Sequence, residues 1–399
     1  MLKILRIINR LNLGGPTYNA AYLSKYLEAD YETKLLAGKI DKQEASSRFI
    51  MDSLDVKVHT IRSMHRNIHL YNDWLAYREI KNIIRTFKPD IIHTHAAKAG
   101  ALGRLAAYRL HVPVIIHTFH GHVFHHYFNS IKTLFFLKIE RFLAHKSQAL
   151  IALSKQQKDE LVNIYKIAPA EKFKIIPLGF DLHKFKENSD IKRRNFRKRF
   201  GITRDDVAIG IVGRFVPIKN HRLFLFAISK IAEEQRKHLR IFIVGDGETM
   251  NLLTDYCTQL NLDYTLGNPP DRQSMITFTS WITVVDELMA GMDIIALSSD
   301  NEGTPVSLIE AQAAGKPIVS TCVGGVADIV VEGRNALLSM PNDAEAFAAN
   351  ISAMIKHLQT FTNEAIKRVE LVHKLYDYHR LVEDMSVLYK SLLQEASDS

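Results

Sequence analysis

Val207-Ala208-Ile209-Gly210-Ile211-Val212-Gly213-Arg214-Phe215-Val216-Pro217-Ile218-Lys219 opens with six small or apolar residues and closes in a loop that carries two cations five positions apart. A short continuous apolar run ended by glycine reads as a strand buried on both faces, as in a parallel sheet covered by helices. The same succession recurs downstream. Ile241-Phe242-Ile243-Val244 runs into Gly245-Asp246-Gly247, Ile294-Ile295-Ala296-Leu297 into Ser298, and Pro317-Ile318-Val319-Ser320 into Gly324-Gly325. Upstream, residues 2–9 lead through Asn12-Leu13-Gly14-Gly15-Pro16 into a helical stretch from Tyr18 to Tyr26. Ile91-Ile92-His93, Val114-Ile115-Ile116-His117 and Ala149-Leu150-Ile151-Ala152-Leu153 continue the series, the last ending at Ser154, a helix N-cap by type. Strands alternating with helices predict an α/β fold.

At 399 residues the chain exceeds what one hydrophobic core usually serves. The charged stretch Lys192-Arg193-Arg194 to Arg197-Lys198-Arg199 precedes the restart at Val207, which puts the boundary within 185–205. The expected architecture is therefore two Rossmann-like, doubly wound domains, 1–195 and 196–375, facing across a cleft with ligands at the carboxyl ends of the strands.

With 47% hydrophobic and 24% charged residues the chain is globular rather than disordered. No stretch suits a signal peptide or a membrane span, and Cys257 and Cys322 have no motif spacing, so a cytoplasmic protein with packed thiols is expected. Residues 1–195 hold 32 Lys and Arg against 17 Asp and Glu, while 196–399 hold 20 against 26. The +15 first half thus faces something anionic: a membrane surface, a diphosphate-linked acceptor or nucleic acid. No nucleic-acid-binding motif is present and the charge is scattered, which argues against nucleic acid.

Arg214 and Lys219 suit a diphosphate, because Arg forks onto phosphate oxygens and Lys adds a mobile point charge; a solvated loop explains the pair equally well when taken alone. Glu302-Gly303-Thr304-Pro305-Val306-Ser307-Leu308-Ile309-Glu310 sets two carboxylates eight positions apart around a helix start. Such acids bind sugar or ribose hydroxyls, and the free N–H groups of the helix start receive phosphate. Helix-dipole complementarity accounts for one carboxylate but not for the string.

In this order, Gly213-Arg214 to Lys219, Val244-Gly245-Asp246-Gly247, Glu302 to Glu310, Ala314-Gly315-Lys316-Pro317-Ile318-Val319 and Gly324-Gly325, the sequence resembles the retaining family 4 glycosyltransferases of GT-B fold, over nearly its whole length. The resemblance implies that Arg214 and Lys219 hold a donor diphosphate, Glu302 the hydroxyls of the transferred sugar, and Glu310 the ribose. It further implies donor contacts at Gly213, Gly245, Gly247, Gly303, Thr304, Pro305, Val306 and Leu308, and at the strand-to-helix turn Gly14-Gly15. A plain turn is the other reading of those last two glycines. The resemblance also sends a final helix, residues 376–399, back to the first domain. Asn220 stands where the family has glycine, and Thr279-Ser280-Trp281 replaces a glycine-containing approach to the next helix.

His117-Thr118-Phe119-His120-Gly121-His122-Val123-Phe124-His125-His126, with His93 and His95, invites a metal reading. Structural zinc usually includes Cys, and both cysteines lie in the other half, which leaves a three-histidine catalytic site as the alternative. No metal or other cofactor is expected. By resemblance His120 lies beside the transferred sugar, with His122 and His95 as acceptor-side or structural neighbours.

Residues 131–146 read as a basic amphipathic helix carrying Lys132, Lys138, Arg141 and Lys146. Burial of its apolar face explains it; contact with anionic lipid at the inner face of the cytoplasmic membrane is the second reading.

The resemblance implies partners: a nucleotide-sugar donor, a UDP-sugar by family frequency, and a glycan or lipid-linked acceptor of surface polysaccharide synthesis. No carboxylate nucleophile is evident in the first half, which favours front-side transfer. A sugar-nucleotide epimerase of similar architecture is the nearest enzymatic rival. A dehydrogenase is disfavoured because Met250 stands where the third fingerprint glycine belongs.

Overall fold

The computed structural model describes residues 1–11, 14–27, 31–40, 47–65, 67–121, 130–270 and 274–398. It divides into two units, Met1–Phe180 with Tyr376–Ser399, and Asp181–Leu375. Each holds a seven-stranded sheet paired in parallel throughout. This is the two-domain Rossmann-like fold expected from the sequence.

In the first unit the strands are β1 (Leu2–Arg10), β2 (Tyr31–Gly38), β3 (Val58–Ile61), β4 (Ile91–His95), β5 (Val114–Thr118), β6 (Ala149–Ala152) and β7 (Phe173–Ile175), in the order β3-β2-β1-β4-β5-β6-β7. Every residue of β4 and β5 is buried, so their apolar runs are two-faced core rather than alternating surface. The helix Leu70–Phe87 buries Ala76, Ile80, Ile84 and Phe87, a helical-period face set against Leu5, Ile7 and Ile92. It starts at His69, whose ring accepts the amide of Asn72.

The final helix, Tyr378–Ser397, packs Leu381, Met385, Leu388, Tyr389 and Leu392 on Ile4, Ile91, Val114 and Ile116 of the first sheet. Burying side chains of this size stabilises by roughly 1.5–3 kcal/mol each, which makes the helix integral to that unit.

In the second unit β8 (Val207–Val212), β9 (Leu239–Val244), β10 (Tyr264–Leu266), β11 (Ile276–Ser280), β12 (Ile294–Leu297), β13 (Ile318–Thr321) and β14 (Ala336–Ser339) follow the order β10-β11-β9-β8-β12-β13-β14. The chain divides between Phe180 and Asp181, so residues 181–195, set with the first domain on sequence, lie in the second unit. Their charges explain why. Residues 189–195 open the helix Ser189–Arg199, in which Lys192 pairs with Asp286 at 2.7 Å while Arg193, with Arg197 further along, grips Asp293 at 2.6 and 2.9 Å.

Among the described residues no helix is long and apolar enough to cross a membrane.

Candidate active site

In a doubly wound sheet the strand order reverses at one point, and the loops leaving the two strands there diverge and open a crevice. In the second unit this point lies between the neighbours β8 and β12. The loop after β8 carries Gly213, Arg214 and Lys219, and the loop after β12 carries Ser298, Ser299 and Glu302. The topology thus brings together the cations and the first acid named from the sequence.

Nζ of Lys219 lies 2.5 Å from Oε1 of Glu302, with both side chains largely withdrawn from solvent. The hydroxyl of Ser299 donates to the same oxygen at 2.6 Å. Oε1 is therefore saturated, and Oε2 is the oxygen left to accept from a ligand. The two loops are also stitched through backbone: the amide of Asp300 donates to Ile218 at 2.9 Å, and the hydroxyl of Ser298 to the carbonyl of Lys219 at 3.1 Å. Arg214 is half-buried and, among the described residues, makes no ion pair.

Asn220 has φ +43°, which explains why glycine suits this position and why Asn, the residue most tolerant of left-handed backbone, replaces it. Its side chain accepts the amide of Leu223 at 3.2 Å, capping the helix His221–Lys230, and donates to Asp300 at 2.7 Å. Ser280 likewise sits at φ +60°, the site of the other departure from the family's glycine pattern.

Two glycine pairs hold loop against loop. Gly245 has φ +151°, and a Cβ there would lie 1.9 Å from the carbonyl oxygen of Gly213; one at Gly247 would lie 2.4 Å from that of Phe215. A Cβ at Gly324 would strike the carbonyl oxygen of Glu302 at 1.8 Å, and one at Gly325 that of Gly303 at 2.1 Å. Gly245 and Gly247, named as donor contacts, thus serve first to seat the Arg214 loop.

The helix Val306–Ala313 begins at Pro305, whose side chain offers no cap, and its first turn holds no acid. Gly303, Thr304 and Val306 are partly exposed at this start, whereas Pro305 and Leu308 are buried, Leu308 completely. Leu308 therefore packs in the core. Glu310 is 8% exposed, and burial pushes its carboxyl up to about 7, opposed by Lys184 and reinforced by Asp286. A buried carboxyl poised near neutrality is a costly feature for a purely structural residue.

In the first unit the order reverses between β1 and β4. Gly14, at φ +151°, caps the helix Gly15–Lys25 after β1, and His95 ends β4. Nδ1 of His95 meets Nε2 of His120 at 2.9 Å, whereas Nδ1 of His120 and Nε2 of His95 are withdrawn from solvent without a partner among the described residues. Burial lowers His120 to about 3 and, with the neighbouring cationic groups, holds His95 well below its usual range. Both rings are therefore neutral, one donating and the other accepting. His93 is committed elsewhere, to the hydroxyls of Tyr389 at 2.6 Å and Thr118 at 2.7 Å, and His117 to Thr94 at 2.8 Å. His122 lies outside the described residues, as do the side chains of 131–133 at the start of the helix Ser130–His145.

The sequence reading named Ser298 only as the residue closing an apolar strand and gave no role to Ser299 or Tyr389. The first two follow an apolar strand directly, a signal available in Leu297-Ser298-Ser299; Tyr389 was visible only as one more residue of an apolar helical stripe.

Residues 206–357 match the glycosyl transferases group 1 family, and residues 13–184 match glycosyltransferase family 4. The chain is 30% identical, over 77% of its length and 76% of the relative's, to the UDP-Gal:alpha-D-GlcNAc-diphosphoundecaprenol alpha-1,3-galactosyltransferase of Escherichia coli. It is 23% identical, over 86% of its length and 87% of the relative's, to the capsular polysaccharide biosynthesis glycosyltransferase CapM of Staphylococcus aureus. The structure of Anabaena HepE in complex with UDP and glucose superposes with a TM-score of 0.81 at 19% identity, covering 98% of this chain and all of that one. The chain belongs to the family 4 glycosyltransferases of GT-B fold.

Proposed function

We propose that this glycosyltransferase transfers a hexose from a UDP-sugar, with retention of anomeric configuration, to a glycan carried on a lipid diphosphate during surface polysaccharide synthesis. The observation that carries the proposal is the Lys219–Glu302 contact across the two loops at the β8/β12 reversal, beside a half-buried Arg214 with no protein counter-ion among the described residues. A half-buried cation without an acid suits an anion that comes and goes. The donor and acceptor named for the E. coli relative support the choice of UDP-sugar and lipid diphosphate.

In this reading Arg214 and the remaining donors of Lys219 hold the pyrophosphate, Oε2 of Glu302 accepts from a sugar hydroxyl, and Glu310 accepts from the ribose. As the anomeric C–O bond breaks, negative charge grows on the departing phosphate, where fixed cations stabilise the transition state more than the ground state. The acceptor hydroxyl attacks from the face the phosphate leaves, and its proton passes to a phosphate oxygen. The products are UDP and the glycoside, with no charge or proton unaccounted for.

A thermal-shift panel of nucleotide sugars, followed by NMR of the product, tests this. A UDP-sugar should raise the melting point most, since a ligand that binds only the folded state stabilises it by mass action. UDP release should require acceptor, and an α-configured donor should give an α-linked product. A β-linked product would overturn retention, and UDP-sugar turnover to a free epimer without acceptor would favour the epimerase.

A further inference from the structure

The first turn of the helix Leu70–Phe87 exposes apolar surface that the core does not account for. Ile68 is 60% exposed, Leu70 87%, Tyr71 63% and Trp74 49%. Single exposed apolar residues need no explanation, but four within seven positions make a patch. The helix already buries its inner face through Ala76, Ile80, Ile84 and Phe87, so this second apolar face is surplus to folding.

We propose that this patch seats the first unit in an anionic lipid bilayer. Tyr71 and Trp74 stack with ring centroids 6.3 Å apart, and the guanidinium of Arg78 lies 4.7 Å from the Trp74 ring. An apolar ring with a cation stacked over its face suits the boundary between acyl chains and headgroups. Charge complementarity selects the occupant. Asp73, the acid of this turn, is neutralised by Lys98 at 2.5 Å, whereas Arg62, Arg78 and Arg85 present exposed positive charge. A second copy would bring the same cations against these, while phosphatidylglycerol-type headgroups would complement them at about 1 kcal/mol per cation.

The helix Ser130–His145, where the sequence offered lipid contact as a second reading, also exposes Leu134, Phe135 and Phe142, but more of its polar and aromatic groups are engaged within the unit. Arg141 is spent on the carbonyl of Tyr165 at 2.7 Å, Glu140 pairs internally with Arg104, and Phe142 leans edge-on against Tyr108.

The surface deepens the reading of a lipid-linked acceptor, which gives it its purpose, yet it is tested with neither donor nor acceptor, so its failure leaves the transfer reading standing. The chain has two tryptophans, and Trp281→Phe leaves Trp74 as the sole reporter. With vesicles of phosphatidylglycerol and phosphatidylethanolamine, Trp74 emission should shift to the blue and the protein should float with the vesicles. Phosphatidylcholine vesicles should do neither, and added salt should weaken the binding. In the full chain Leu70→Ser and Trp74→Ser should each weaken flotation about tenfold with melting point unchanged. No blue shift, equal flotation by both serine variants, or self-association without vesicles that these substitutions abolish would each overturn the proposal.

Discussion

The ring of His95 holds the ring of His120 through an Nδ1 to Nε2 hydrogen bond of 2.9 Å. The resemblance puts His120 beside the transferred sugar; because that contact occupies its Nε2, Nδ1 is the atom left to bond a substrate there. His120→Ala should lower kcat by about a hundredfold, and His95→Ala by a comparable factor through misplacement of His120, since an error of about 1 Å costs on this scale. His95→Gln, which keeps a hydrogen-bonding group, should recover part of the loss. Steady-state kinetics on the three variants decides it; a His95→Ala enzyme with normal kcat would remove His95 from the positioning role. Both rings are neutral near pH 7, so neither should contribute a limb to the pH profile between about pH 5 and 8.

Lys219 and Glu302 share one contact but have separate tasks in the proposed reaction. Lys219→Ala should lower kcat/KM by about 10²–10³, the usual cost of removing one stabiliser of developing charge. Glu302→Gln should cost less, because the amide still bonds a sugar hydroxyl. The double variant should fall short of the product of the two effects, as expected for groups in contact. Strict multiplicativity in a double-mutant cycle would mean that the 2.5 Å contact carries no coupling.

Much of this arrangement was legible in the chain itself. Several strands ended at a glycine or serine, so the positions of Gly213, Gly245 and Ser298 as loop starts followed from apolar run length alone. What was not legible required neighbours distant in sequence. Gly245 is glycine because the carbonyl of Gly213 occupies the space of its Cβ, a constraint set by the pairing of β8 with β9. Arg193 and Arg197 marked only a charged domain boundary in the sequence, whereas in the structure Asp293, about 100 positions away, is their partner. Tyr389 reads as core from its helical period, yet its hydroxyl meets His93 because the final helix returns to the first sheet.

Glu310 makes stability depend on pH in a calculable direction. Its carboxyl titrates at 4.5 when unfolded and at about 7 when folded, so the folded state binds the extra proton between these values. Stability from this group is complete below the unfolded value and is lost as pH rises through about 7, up to roughly 3 kcal/mol in all. Chemical denaturation of wild type and Glu310→Gln across this window should show that slope only in the wild type. If the ionised carboxylate binds the ribose, UDP affinity should rise over the same interval; a flat profile in calorimetry would remove Glu310 from the ribose.

The proposed reaction gives the donor charge to Arg214 and Lys219 rather than to a divalent cation. Exhaustive treatment with EDTA should therefore leave kcat within about twofold, whereas a loss of several kcal/mol of transition-state stabilisation would be expected if a bound metal did this work. Restoration of a lost activity by Mg²⁺ or Mn²⁺ would assign the pyrophosphate to a metal instead.

Gly245→Ala tests how far the Arg214 loop depends on the turn that supports it. The added Cβ would meet the carbonyl oxygen of Gly213 at 1.9 Å, and since that atom is backbone, the loop bearing Arg214 has to move. At Gly333, φ is also positive, at +72°, but a Cβ there would have nothing within 4 Å, so Gly333→Ala isolates the cost of the backbone conformation alone, about 1 kcal/mol. Gly245→Ala should lose more, about 2–4 kcal/mol, which for a domain of this size lowers the melting point by several degrees more than the control does. The decisive readout is donor affinity. A displaced Arg214 should weaken UDP binding in Gly245→Ala at temperatures where the variant is fully folded, while Gly333→Ala binds as wild type. Equal affinity in both would mean that the loop carrying Arg214 does not touch the nucleotide.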